Sequence, residues 1–289
     1  MINTTPQTHG IPHASHAATN TAAHPAPSGL RHDTPLSARP NGHVPSSPLS
    51  PTHPLHHPDL WKTGRYFLHY NAHDAQHMQV IITNTQPEHA AALGAMQRTI
   101  FPTLPDSELF TEAKYRKHIE LFPQGQFVVL VYKDGAWLPV GSSSTYRTTF
   151  DFDHYDHTYD EAIAGGWLTC HERSGDWLYG VDMAMHPDYR GLRIGRRLYD
   201  ARQALVQHLN LRGEIAGGLM PHYELHRKDL SVAQYALRVW QGKLYDPTLT
   251  MQIRNGFRIR ALLYNHIGDP RSDNTATLLV RDNTHYDMH

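Results

Sequence analysis

Short apolar runs and amphipathic stretches alternate along the chain from residue 79 onward. The runs at 80–82 and 127–132 have the length and composition of buried strands. By contrast, Leu198, Ala201 and Leu205 recur at the period of about 3.6 residues that defines one face of a helix. The pattern therefore predicts a domain in which strands and helices alternate. Strands are expected near 80–82, 127–132, 140–146, 177–185, 215–218, 257–263 and 276–280, and helices near 85–100, 111–121, 195–209, 231–241 and 247–255.

Local signals mark the ends of several of these elements. Thr85-Gln86-Pro87-Glu88 predicts a helix start, with Thr85 as the N-cap, Pro just inside the helix and Glu at its third position. Asp134-Gly135 predicts a tight hairpin turn between two strands. Gly256 is typical of a residue that ends a helix.

Composition divides the chain into unequal parts. Residues 1–60 hold eleven of the 20 Pro but only four charged side chains, and their apolar residues follow no period. Such a segment cannot bury enough apolar surface to offset its chain entropy. We therefore expect a disordered tail at 1–60, a linker or packing segment at 61–77, a folded domain at 78–283 and a disordered C-terminus at 284–289.

Neither the histidines of the tail nor the acidic residues of the domain predict a metal site. The tail holds nine His at irregular spacings without a scaffold, whereas zinc ligands are held at fixed spacings. Residues 151–161 contain five carboxylates and no Lys or Arg, but they lack the glycine and the spaced oxygen ligands of a calcium loop. The interpretation is an acidic loop, which hints at a cationic ligand.

Charge and hydropathy exclude several classes of protein. Lys and Arg number 26 against 27 Asp and Glu, so the net charge of -1 lacks the basic footprint of a general nucleic-acid binder. The longest strongly apolar run, 127–132, is far shorter than the roughly 20 residues of a membrane span. The single cysteine, Cys170, excludes a disulfide framework. Without a recognisable secretion signal, the sequence predicts a cytoplasmic protein that binds neither nucleic acid nor membrane.

The stretch from Val181 to Asp200 carries the candidate chemistry. It places a strand, a loop rich in Arg and Gly, and an amphipathic helix in immediate succession. Unpaired N–H groups at a helix N-terminus attract phosphate, and Gly191 and Gly195 leave room for it to approach. The loop and the first helical turn add the guanidinium groups of Arg190, Arg193, Arg196 and Arg197. The segment therefore predicts a site for a ligand that carries several phosphates.

Known phosphate and nucleophile motifs are absent from this sequence. It contains no Gly-Lys-Ser/Thr triplet of a P-loop and no Gly-x-Gly-x-x-Gly of a dinucleotide fold. Gly141-Ser142-Ser143-Ser144 lacks the second glycine of a nucleophile elbow.

The run from Met185 to Gly195 resembles motif A of the GNAT superfamily, the Gcn5-related N-acetyltransferases. Arg190 and Gly195 match the motif, whereas Arg193 stands where its middle glycine is expected. The resemblance implies a GNAT fold: a mixed, mostly antiparallel twisted sheet of six to seven strands, flanked by helices and splayed at the cofactor site. It also implies acetyl-CoA as co-substrate, bound by Met183, Ala184, Met185, Arg190, Gly191, Leu192, Arg193, Ile194, Gly195 and Arg196.

Three further segments resemble the GNAT domains that are fused to nitrilase-type carbon–nitrogen hydrolases. These segments are 175–180, 195–202 and 246–257, and they extend the resemblance over most of the chain from residue 79.

The resemblance implies acyl transfer from acetyl-CoA to an amine, with backbone N–H groups around 183–185 as oxyanion donors. Asp182 is the one carboxylate on the strand and is the candidate base, the alternative being a structural pair with an arginine. Gln252 stands where the family often has a tyrosine acid, so Tyr223 and His222 are the candidates for that role. We expect an N-acetyltransferase for a small-molecule or peptide amine, as monomer or homodimer. The alternative is a non-catalytic acetyl-CoA sensor or regulatory partner.

Overall fold

The computed structural model describes the backbone of residues 68–71 and, with their side chains, residues 79–288. The expected tail at 1–60 lies outside the described residues. The helices of the described part are α1 (Ala90–Ile100), α2 (Glu112–Leu121), α3 (Tyr159–Ile163), α4 (Ile194–His208), α5 (Val232–Trp240) and α6 (Leu249–Arg254). The strands are β1 (Leu68–Asn71), β2 (Gln79–Asn84), β3 (Gln126–Lys133), β4 (Ala136–Thr148), β5 (Trp177–Gly180), β6 (Ala184–Met185), β7 (Gly213–Leu219), β8 (Arg258–Leu263) and β9 (Ala276–Asp282).

One mixed sheet connects these strands in the order β1-β2-β3-β4-β5-β7-β9-β8, with β6 added to β4. Every neighbouring pair is antiparallel except β5 and β7. The mixed α/β class is therefore confirmed. The nine strands of the described part exceed the six to seven expected, because β1 forms within 61–77 and the strand expected at 177–185 divides into β5 and β6.

The sheet opens where that strand divides. β5 and β7 pair in parallel as far as Gly180 and Ala216. Beyond this point, β6 stays with β4, whereas residues 217–219 stay with β9. The two halves of the sheet thus separate after Gly180, which is the splay that the resemblance implied.

Helices cover both faces of the sheet. On β3, Val128 and Leu130 pack in a cluster with residues of α1 and α2, while Val129 and Val131 pack beneath α4. This alternation follows from the period of two along a strand. The helix face predicted at Leu198, Ala201 and Leu205 is buried in the second cluster.

The turn signals were mostly read correctly. Asp134 and Gly135 have positive φ angles of 51° and 83°, as the hairpin turn requires, and Gly256 has a φ of 91° after α6. Thr85 as the N-cap was wrong: Gln86 caps a short 3-10 turn that precedes α1, and its backbone N–H donates to Nδ1 of His89.

The segment after β9, expected to be disordered, is held against the domain near its end. The backbone N–H of Asp287 donates to Oδ1 of Asn210 at 3.0 Å, and Nδ2 of Asn210 donates back to the Asp287 carbonyl at 2.9 Å. None of the helices in the described part of the chain has the length and apolar character of a transmembrane helix.

A buried ion cluster lies at the splay. Glu214 of β7 is fully buried and pairs with Arg202 of α4 and Arg281 of β9. The Arg202 guanidinium fills the space where a Cβ at Gly180 would lie, so β5 needs glycine at this position. The three charged groups therefore join one helix to the two strands β7 and β9 at the opening of the sheet.

Removing the carboxylate of this cluster is expected to cost stability. Glu214→Gln leaves two guanidinium groups buried without their counter-charge, so unfolding by urea should show a loss of about 3–5 kcal/mol. Asp282→Asn is the matched control, because Asp282 pairs with Arg258 at the surface, where both side chains are more than half exposed. It should cost less than about 1 kcal/mol. Equal losses for the two variants would contradict the dominant role of the buried cluster.

Arg193 caps α4 in the left-handed conformation, with φ 59° and ψ 14°. A residue with a Cβ is strained there, which explains why a glycine is expected at this position. We predict that Arg193→Gly is more stable than Arg193→Ala by about 1 kcal/mol, since both remove the guanidinium and only the first relieves the backbone. Thermal and urea unfolding of the pair measure the difference. Greater stability of the alanine variant would show that the backbone is not strained here.

Candidate active site

A cavity of about 180 Å³ occupies the opening between the two halves of the sheet. Its walls come from α1, α4, α6, the strands at the splay and the loop after β8. Polar side chains line it together with apolar ones, among them Gln97, Asp182, Tyr199, Arg202, Gln252 and His266.

Asp182 lies in the gap between β5 and β6 and faces this cavity. Its Oδ1 accepts the backbone N–H of Ser144 at 2.7 Å, and its carbonyl accepts the Ser143 hydroxyl at 3.0 Å. Its Oδ2 is buried and accepts no hydrogen bond from the described residues. Burial raises the pKa of Asp182 from 3.8 to about 6, although Ser144, the charge of Arg202 and the Gln97 side chain act in the opposite direction. The carboxylate is therefore anchored through one oxygen and available through the other.

A buried hydrogen-bonded chain lies beside this carboxylate, since the Gln97 side chain is among the groups that lower the pKa of Asp182. The Gln97 amide donates to the Tyr115 hydroxyl at 2.7 Å, and that hydroxyl lies 3.2 Å from the Ser142 hydroxyl. Oε1 of Gln97 accepts the Phe110 N–H at 3.2 Å. Gln97 is thus fixed in one orientation between α1 and β4. Sequence reasoning missed Gln97. The run of three serines on a strand is the signal that could have indicated buried polar groups here.

His266 presents a neutral imidazole to the cavity. Its Nδ1 lies 2.8 Å from the His157 carbonyl, which can only accept, so Nδ1 carries the proton and Nε2 the lone pair. Burial lowers the pKa of His266 to about 4, and Nε2 lies over Gly217, where a side chain would collide with it. This residue was also missed, because it comes from a loop far along the chain.

Tyr199 and Gln252 complete the wall formed by the helices. Burial raises the pKa of Tyr199 to about 12, while its hydrogen bond with Gln252 has a smaller effect in the opposite direction. Oε1 of Gln252 is buried and has no partner among the described residues. The Gln252 amide therefore lines the cavity, but it cannot act as an acid.

The two predicted acid candidates lie elsewhere. Tyr223 is buried in a separate cluster beneath α5, where its hydroxyl donates to the Leu230 carbonyl at 3.1 Å. The backbone of His222 donates to Asp246, and its ring contacts Tyr245 edge-on. Neither residue lines the cavity, so the structure gives both of them packing and hydrogen-bonding roles.

The predicted phosphate loop lies at the N-terminus of α4, next to β6. Arg190 fixes it, because its Nε donates to the Met185 carbonyl at 3.0 Å and its Nη2 to the Ile100 carbonyl at 3.3 Å. Gly191 has a φ of 80°, and the space beside the Cα of Gly195 is open. The loop thus leaves its glycines uncovered.

The other predicted cofactor residues surround this loop in different ways. Ile194 is buried in the core, so only its backbone faces the loop, and Leu192 packs partly against the same cluster. Arg193 and Arg196 are exposed. Met183 lines the cavity, while Ala184 and Met185 pair with β4.

Comparisons with known proteins agree with this architecture. No family model matches the chain. It is 31% identical over 211 residues to the probable hydrolase YhcX of Bacillus subtilis (strain 168), covering 72% of this chain but only 39% of that protein. The name of this relative does not say which bond it hydrolyses, so the resemblance to nitrilase-fused domains stays a prediction.

Two solved structures share the fold. The loading GNATL domain of CurA from Lyngbya majuscula is 18% identical, with a TM-score of 0.60 over 71% of this chain and 98% of that domain. The GphF GNAT-like decarboxylase, solved with isobutyryl-CoA, is also 18% identical, with a TM-score of 0.56 over 70% of this chain and 98% of that one. At this identity the two likenesses bear on the fold alone.

The family follows from a second relative, the uncharacterized N-acetyltransferase YkwB of Bacillus subtilis (strain 168). It is 30% identical over 216 residues, which are 74% of this chain and 94% of that protein. Taken with the motif at 185–195 and the splayed mixed sheet, this match shows that the chain belongs to the GNAT superfamily of N-acetyltransferases.

Proposed function

We propose that this acyltransferase-family protein moves the acetyl group of acetyl-CoA directly to a primary amine of a small molecule or peptide. The proposal rests mainly on the placement of Asp182. This residue lines the cavity in the splay, and its Oδ2 has no hydrogen-bond partner among the described residues. An amine nucleophile needs a base to take its proton, and a base works best when its pKa lies near the working pH. Burial brings the pKa of Asp182 to about 6, which favours this role.

The loop at the start of α4 is suited to the phosphates of such a co-substrate. Uncovered N–H groups at the helix N-terminus favour anions, and Arg193 and Arg196 are exposed beside them. There is room for a phosphate group beside Gly195, because no heavy atom lies within 4 Å of the place where a Cβ would be. Acetyl-CoA would supply the thioester, and these residues would hold its pyrophosphate.

Backbone groups of β6 are the candidates for stabilising charge on the thioester oxygen. The N–H of His186 donates to Val140 of β4 at 2.8 Å. Since successive N–H groups of an extended chain point in opposite directions, the N–H of Met185 faces away from β4. A donor fixed in this way needs no side chain and does not reorganise during the reaction.

A non-catalytic acetyl-CoA sensor is the second candidate. It is favoured by Gln252, whose amide lines the cavity but cannot protonate a departing thiolate. Release of free thiol from acetyl-CoA in the presence of a panel of amines distinguishes the two functions. Turnover supports the enzyme, whereas tight binding without turnover of any amine supports the sensor.

Asp182→Asn tests the base. Because general bases contribute about 10²–10⁴-fold, kcat/KM should fall by that order while acetyl-CoA affinity stays close to wild type. In the wild type, activity should fall as the pH drops through about 6, where Asp182 takes up its proton, and the variant should lack this limb. Asp134→Asn in the remote hairpin turn is the control and should keep full activity. If Asp182→Asn keeps the pH profile and loses only stability, the residue is structural.

Gly195→Glu tests the phosphate loop. A carboxylate at this position opposes the phosphates, so calorimetry should show acetyl-CoA affinity reduced at least tenfold, about 1.4 kcal/mol. Gly195→Ala separates charge from size, because its methyl group meets no protein atom and carries no charge, so it should cost less affinity than the carboxylate. Both variants should unfold at temperatures close to that of the wild type. Unchanged affinity in the glutamate variant would show that the phosphates bind elsewhere.

A further inference from the structure

The cavity carries more negative than positive charge. Two carboxylates line it, Asp182 and Glu108. Among the residues that the structure describes, Arg202 is the one Lys or Arg in the lining, so the two carboxylates exceed it by one charge, and Arg202 shares Glu214 with Arg281. His266 adds no charge near neutral pH, since its pKa is lowered to about 4. The unbalanced charge favours a cationic ligand.

Glu108 stands at the mouth of this cavity. It ends a short 3-10 turn, Asp106–Glu108, and it lines both the inner cavity and an outer pocket that also contains Asp160. Its Oε2 is buried and has no hydrogen-bond partner among the described residues. Burial raises the pKa of Glu108, against the effect of a hydrogen bond from Gly268. A ligand that enters here meets an incompletely satisfied carboxyl group.

The cations near Glu108 are engaged with other groups. Lys114 donates to the carbonyls of Ser107 and Leu109 at 2.9 and 3.2 Å. Arg98 pairs with Asp106, and Arg271 pairs with Asp269. Within residues 79–288, no Lys or Arg forms an ion pair with Glu108. A partly buried carboxylate with one unsatisfied oxygen and no counter-charge is costly, and a bound cation would offset that cost.

We infer that the acceptor is a short linear diamine whose reacting amine lies at Asp182 and whose second ammonium group lies at Glu108. The inference rests on the proposed function and names its substrate class. Tyr159 lines the same cavity as both carboxylates, and the charges of Asp182 and Glu108 both raise its pKa. Phe101, Leu104 and Ile267 supply apolar walls for the methylene chain. A monoamine of the same length would leave Glu108 unpaired.

The test compares linear diamines of about three to six carbons with the monoamine of equal carbon number. Calorimetry on the full chain, with and without CoA, gives the ratio of the two Kd values at each length. In the wild type, at least one diamine should bind about tenfold or more tightly than its monoamine, because ion-paired hydrogen bonds contribute on this scale. Glu108→Gln should reduce that preference by about tenfold, while Glu88→Gln, in the exposed 3-10 turn before α1, should leave it unchanged.

A second variant separates recognition from folding. Glu108→Asp keeps the charge, but its side chain is one methylene shorter, so the carboxylate lies farther from Asp182. The preferred diamine should therefore become one carbon longer. Equal affinity for monoamines and diamines in the wild type, or a preference that survives Glu108→Gln, would overturn the inference. Thiol release with the same amines tests the proposed function separately: turnover of monoamines and diamines alike, without a diamine preference, would support the acetyltransferase and reject the role of Glu108.

Discussion

The pairing of Arg202 with Glu214 is the interaction on which the rest of the structure depends. It joins α4 to β7 at the place where β5 and β7 stop pairing, and the guanidinium occupies the space beside Gly180. Two charges buried at a sheet opening are stable only as a pair, so the helix and the strand must keep this separation. Arg281 adds a second cation from β9 and secures the other side of Glu214.

The same cluster affects the pKa of the candidate base in the cavity. Nη1 of Arg202 lies 3.4 Å from the Ser143 hydroxyl, and that hydroxyl donates to the backbone of Asp182. The charge of Arg202 also lowers the pKa of Asp182, although burial outweighs it. The structural ion pair is thus connected to the candidate base through the Ser143 hydroxyl. It limits how far burial can raise the pKa of that carboxyl group.

The two proposed ligand sites, the loop at the start of α4 and the mouth of the cavity, differ in the groups that they offer a ligand. At the start of α4, recognition rests on backbone geometry, and Arg193 accepts a strained conformation where glycine would be relaxed. At the mouth, the proposed recognition rests on the side chain of Glu108, whose Oε2 has no hydrogen-bond partner among the described residues. Backbone groups do not depend on side-chain identity, so they suit a co-substrate that a whole superfamily shares. A side chain at the mouth can instead differ between proteins that use different acceptors.

The sequence by itself determined the order of elements and the helix face of α4, and it singled out the loop of Arg and Gly and Asp182 as candidates, because periodicity, turn residues and motif spacing are local properties. It did not reveal Gln97, Glu108 or His266, which come from separate segments and meet only when the sheet is assembled. Nor could the sequence reveal that the hydroxyl of Tyr223, a candidate acid, donates to the Leu230 carbonyl, because that contact forms only in the packed structure. Tertiary structure decided which polar groups are buried without partners, since that property depends on distant neighbours and on no single stretch of chain.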